Sequence, residues 1–85
     1  MPEVEIGVVQ HYFDKAGVGA IEMTDGELSV GDTIRIKGHT TDFTTTIHSM
    51  QIDRQDVETV KKGDSVGIKL DEKVRIHDKV YKVTE

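Results

Sequence analysis

No cysteine occurs in the 85 residues, which excludes disulfide stapling, cysteine-ligated zinc and a thiol nucleophile together. No apolar run approaches the ~18–20 residues of a membrane-spanning helix. The opening MPEVEIG has neither the basic start nor the apolar stretch of a secretory leader. A cytoplasmic chain with no membrane partner is therefore expected. The histidines His11, His39, His48 and His77 form no H-x-x-x-H pair, and no G-x-x-x-x-G-K-[ST] phosphate loop occurs. Neither a metal nor another cofactor is expected.

Basic residues are scarce in the first part of the chain. Residues 1–32 hold seven acids and only Lys15, whereas residues 33–85 hold nine acids and ten bases. The net charge of −5 argues against tight binding of long nucleic acid, so DNA is not expected as a partner. A local basic patch in the second part stays open. The length suits one domain, 1–85, and a monomer is expected.

What is present is strand and turn chemistry. Val4, Ile6 and Val8 alternate with Glu3, Glu5 and Gly7, which predicts a half-buried first strand. Ala20, Ile21 and Met23 begin a second strand that ends at the Asp25-Gly26 turn signal. Ile34 and Ile36 alternate with Thr33, Arg35 and Lys37 in a third, and the threonine-rich stretch 39–49 predicts a long strand beside solvent. Residues 47–70 organise the rest: a strand, an acidic and basic corner at Asp53-Arg54-Gln55-Asp56, a helical turn over 56–60, and a second strand ending at Leu70. SVGDTIRI, KKGDSVGI and RIHDKVYK share one grammar, a turn residue and an Asp followed by an alternating strand. Together these predict an all-β fold, a small closed antiparallel β-barrel of six to seven strands with one short helical turn. Ile34, Ile36, Ile52, Val66, Ile68 and Val80 are the predicted core.

Catalytic geometry is not evident. His48 and Ser49 are neighbours on a strand and face opposite ways, and Asp53 and Asp56 fall on an exposed corner. No enzyme is expected. A binding surface has more material: Lys37, His39, Arg54, Lys61, Lys62, Lys69 and Arg75 are basic, with Tyr12, Phe13 and Phe43 as stacking or packing aromatics. Such mixtures suit short single-stranded RNA or a phosphate-bearing end.

GELSVGDTIRIKG and SMQIDRQDVETVKKGDSVGIKL resemble two successive segments of the second domain of elongation factor Tu and other translational GTPases, and RIHDKVYKV takes the place of that domain's last strand. The resemblance implies the translation-factor barrel. It also implies a non-catalytic, translation-associated accessory contacting RNA (tRNA or rRNA) or a ribosomal or factor protein through residues 40–54. By position, Gln51 stands where that family has Glu, Arg54 matches an Arg, and Ser65 and Gly67 fall in the loop lining the terminal-nucleotide pocket. The family's first-strand acidic pair falls at Gly7 and Val8, and Asp53 replaces an aromatic. The candidate binding face is thus Lys37, His39, Gln51, Arg54, Ser65, Gly67 and Lys69. The alternative is a protein–protein interaction module with no RNA role.

Overall fold

Three turns of one design set where strands begin. In residues 29–32, 61–64 and 75–78, the fourth residue's N–H donates to the first residue's carbonyl: Asp32 to Ser29 at 3.0 Å, Asp64 to Lys61 at 3.0 Å, Asp78 to Arg75 at 3.1 Å. Each Asp carboxylate accepts the first residue's N–H in return, at 2.8, 3.0 and 2.9 Å. The third position is left-handed in all three, with φ of 98° at Gly31, 97° at Gly63 and 78° at His77. A tight turn with a positive φ at its third residue favours glycine, which has no Cβ to clash. The grammar shared by the three sequence segments is therefore shared turn geometry.

A computed structural model describes residues 3–84. Met1, Pro2 and Glu85, at the ends of the expected 1–85 domain, lie outside the described residues. The strands are β1 (Glu3–Phe13), β2 (Val18–Met23), β3 (Glu27–Ser29), β4 (Thr33–Lys37), β5 (Asp42–Thr46), β6 (Met50–Ile52), β7 (Gln55–Val57), β8 (Thr59–Lys61), β9 (Ser65–Lys69) and β10 (Lys79–Val83). Every ladder is antiparallel. One sheet runs β5-β4-β10-β1-β2-β9-β6-β7, and β3 pairs with β8 in a separate ribbon. The all-β antiparallel class is as predicted.

The closed barrel is not. β5 and β7 each have one neighbour in the sheet order, and no described ladder joins them. The cause is local. β7 is three residues long and leaves the sheet at Glu58 for the β3–β8 ribbon. The helical turn predicted over 56–60 is also absent: those residues lie in β7 and β8. Asp53 and Arg54, with φ of 52° and 66°, form a two-residue connection between β6 and β7. Two left-handed residues in succession are the signature of a type I′ hairpin, usually announced by Asn-Gly or Asp-Gly. Here a non-glycine pair makes it, so the spacing of Val57 and Val60 read as a helical period.

The first strand carries a second correction. The register of β1 against β10 shifts between Glu5 and Gly7, and its register against β2 shifts between Val9 and His11. A bulge adds a residue and reverses the inward side. Ile6 and Val9 are therefore buried, Val8 is half-buried, and Val4 is 48% exposed. The threonine-rich strand is shorter than the 39–49 predicted, because β5 spans only Asp42–Thr46.

One apolar cluster lies beneath both sheets. It joins Ile6, Ile21, Met23, Leu28, Ile34, Ile36, Ile47, Met50, Val60, Val66, Ile68 and Val80, with Val74 and Leu70 closing one end. Ile52 is only half-buried and packs at its margin, a correction to its predicted core position. The radius of gyration of 11.2 Å matches the roughly 12 Å expected of a compact chain of this length. The β3–β8 ribbon is accordingly folded onto the main sheet, with Leu28 and Val60 in the common core.

Candidate functional site

Between β1 and the segment that precedes β10 runs an open groove of about 410 Å³. One wall is the end of β1, with His11, Tyr12 and then Asp14; the other is Lys73, Val74, Arg75 and Ile76. The groove exists because β10 starts too late to cover β1. Its first residue, Lys79, pairs with Val8, and two further bonds follow: Val9 N–H to the Asp78 carbonyl and His77 N–H to the Val9 carbonyl, each 2.8 Å. Beyond Val9, β1 has β2 on one side and no strand on the other.

The facing wall is held from below. Val74 is 2% exposed and packs near Gly19 and Leu70, where a Gly19 side chain would collide with Leu70. The Asp78 carboxylate, itself buried, pins the Arg75 backbone N–H. With Val74 sunk in the core, its neighbours Lys73 and Arg75 are exposed. Ile76 is 56% exposed and Phe13 50%, and the Phe13 ring meets His11 edge-on at 4.5 Å between centroids. Lys73, Arg75 and Asp14 make no side-chain ion pair or hydrogen bond among the described residues. Two cations and one separated carboxylate thus stand beside apolar surface. The arrangement can hold an anionic, partly apolar ligand.

The residues singled out from sequence fall elsewhere. Ser65, Gly67 and Lys69 alternate along β9, and Gln51 on β6 lies directly across from Gly67. Gln51 is already engaged, donating from Nε2 to Asp56 Oδ1 at 2.9 Å. Arg54 sits exposed in the hairpin beyond it. Lys37 ends β4 and His39 follows in the turn to β5, with β10, β1 and β2 lying between β4 and β9. Of the basic and aromatic residues expected at a binding surface, Arg75 and Tyr12 reach the groove, and Lys73 and Ile76 join them outside that expectation. The available signal was Val74, a lone apolar residue in a polar stretch, which has to point inward and so turn its neighbours outward.

The strongest electrostatic coupling lies at the β4–β5 edge. Arg35 donates to both carboxylate oxygens of Asp42, at 2.8 and 2.9 Å, and to Glu3 at 3.0 Å. Hydrogen bonds from this guanidinium hold the Asp42 carboxyl below its ordinary value, and the two acids push Arg35 further above its own. Among the described residues no group of three or more His, Asp or Glu converges as a metal site.

In fold, the chain matches the C-terminal domain of a provisionally assigned U32 peptidase of Geobacillus thermoleovorans, with a TM-score of 0.87 over 95% of this chain and 93% of that one. A selenomethionine variant of the same domain gives 0.83 over 89% and 95%. Identity is 15% in both, so these likenesses speak to fold alone. Sequence likeness goes further. An uncharacterized protease of Methanocaldococcus jannaschii is 44% identical over 98% of this chain, and a collagenase of Porphyromonas gingivalis is 36% identical over 94%. The chain spans 20% of the length of each. No family model matches the chain.

These relatives overturn the kinship with translation factors. The segments that carried it, SVGDTIRI and KKGDSVGI, are two of the three reciprocal Asp turns, and that chemistry recurs wherever such turns open antiparallel strands. The expectation of a translation-associated accessory contacting RNA or a translation-related protein falls with it. So does the expectation of a chain unconnected with enzymes, since the named relatives are a protease and collagenases.

Proposed function

We propose that this chain is a peptidase-associated β-domain of the U32 type, serving the hydrolysis of polypeptides. One observation carries the reading: 44% identity, across 98% of the chain, to one fifth of a protease. A match that runs over nearly the whole chain fits a unit reused as a whole. The collagenase likeness supports a polypeptide as the substrate class. The groove supports a role in engaging that polypeptide, because it offers apolar and cationic groups side by side.

The test is segment exchange. The matching fifth of the Porphyromonas gingivalis collagenase is deleted, and in a second variant replaced by this chain. Release of peptides from gelatin should fall on deletion and recover on replacement. A deletion without effect, or a replacement no better than the deletion, overturns the proposal.

A further inference from the structure

We propose that the groove binds an extended, acidic peptide segment, which adds as a strand to the uncovered side of β1 over residues 10–12 and places a carboxylate between Lys73 and Arg75. This rests on the reading of the chain as a peptidase-associated domain, which makes a polypeptide the expected occupant.

Four observations converge. First, β1 continues past the start of β10, so its side from Gln10 to Tyr12 has no strand partner, whereas the Phe13 carbonyl already accepts from the Ala16 and Gly17 N–H groups. An uncovered strand edge offers backbone N–H and C=O groups in the register an incoming strand requires. Second, the facing wall is fixed before anything binds, by the burial of Val74 and by the Asp78 carboxylate on the Arg75 N–H. Little backbone ordering is left for the ligand to impose on that wall, and the ordering cost falls on the exposed Lys73 and Arg75 side chains. Third, about 410 Å³ lies within the usual range for ligand sites, and Tyr12 and Ile76 give it apolar surface.

The fourth is charge. The chain carries −5 overall, yet Lys73 and Arg75 stand here without a counterion among the described residues. A carboxylate entering the groove meets two unneutralised cations and displaces no existing pair. Asp14 lies in the same groove but within ion-pairing reach of neither cation, so it disfavours acid at its own position. The matching peptide is therefore acidic at one position and apolar beside it, rather than acidic throughout.

The experiment titrates the 85-residue chain with the blocked hexapeptide acetyl-Ser-Val-Leu-Glu-Val-Ser-amide, followed by amide chemical shifts. Saturable shifts should concentrate at residues 10–12 and 73–76. The peptide with Lys in place of Glu should bind roughly tenfold more weakly or worse, and so should the acidic peptide to the Lys73→Glu, Arg75→Glu double variant. Neither side chain holds another group among the described residues, so the variant should keep the wild-type melting temperature. A version N-methylated at every backbone nitrogen keeps the carboxylate but has no N–H on either edge to donate to a ladder, and it too should lose binding. Shifts absent from the groove, equal binding of the Lys peptide, or equal binding of the N-methylated peptide would each overturn the proposal. Because only the chain and a peptide are present, failure here alongside successful segment exchange overturns the groove alone. Binding here with failed exchange overturns the peptidase reading instead.

Discussion

Arg54 and His77 hold backbone angles that side chains with a Cβ resist, at φ of 66° and 78°. A left-handed L-residue costs roughly 1–2 kcal/mol, and glycine returns part of that as unfolded-state entropy of roughly 0.5–1 kcal/mol. Arg54→Gly turns the corner into an Asp-Gly type I′ turn, so a net gain of up to about 1 kcal/mol is expected. For a domain of this size that is a rise in Tm of about 4–8 °C, read by thermal unfolding. Gly38 marks the opposite constraint. A Cβ there would overlap Asp78 Oδ1, and Asp78 is buried with its other oxygen committed to Arg75. Gly38→Ala should cost about 1–3 kcal/mol by overpacking. Most of that cost should vanish in an Asp78→Ala background, where the obstructing carboxylate is gone. Additive losses in the double-mutant cycle would contradict the contact.

At the scale of strands, the alternating segments were legible and the irregular ones were not. Ile34, Ile36, Val66, Ile68 and Val80 were predicted in the core and are buried there, because β4, β9 and the start of β10 keep an unbroken period of two. Ile68→Ala should therefore cost about 2–5 kcal/mol in chemical unfolding, a large share of the 5–15 kcal/mol typical of a domain. Bulges hid the inward side of β1, and the non-glycine I′ corner hid β7 and β8. The groove has no sequence signature for a different reason. It arises from a mismatch in length between β1 and β10, which no local pattern encodes.

The β4–β5 edge adds a dependence on pH. Arg35 lowers the carboxyl pKa of Asp42 in the folded chain, so the contribution is present above the ordinary carboxylate value. It is lost as pH falls through the depressed folded value. Arg35→Met should flatten the acid limb of the stability curve below about pH 4 while leaving its slope near neutrality unchanged. An unchanged acid limb would show that the pairing is too well solvated to matter.

Taken whole, the molecule combines an acidic surface with one groove where two cations are unpaired among the described residues, on a fold shared with a U32 peptidase C-terminal domain. Sequence patterning reached the all-β class. It misassigned kinship because the most recognisable segments were turns, whose chemistry is common property of antiparallel sheets. Relatedness was carried instead by identity spread along almost the whole chain.

The role proposed for this β-domain is to serve a peptidase by engaging its polypeptide. The most direct measurement is steady-state hydrolysis of gelatin by the Porphyromonas gingivalis collagenase in four forms: intact, lacking its matching fifth, carrying this chain in its place, and carrying the Lys73→Glu, Arg75→Glu variant of this chain. KM for gelatin should rise on deletion, return toward the intact value with this chain, and rise again with the charge reversal, while kcat changes little. A grafted enzyme with the KM of the deletion, or a loss confined to kcat, would contradict that role.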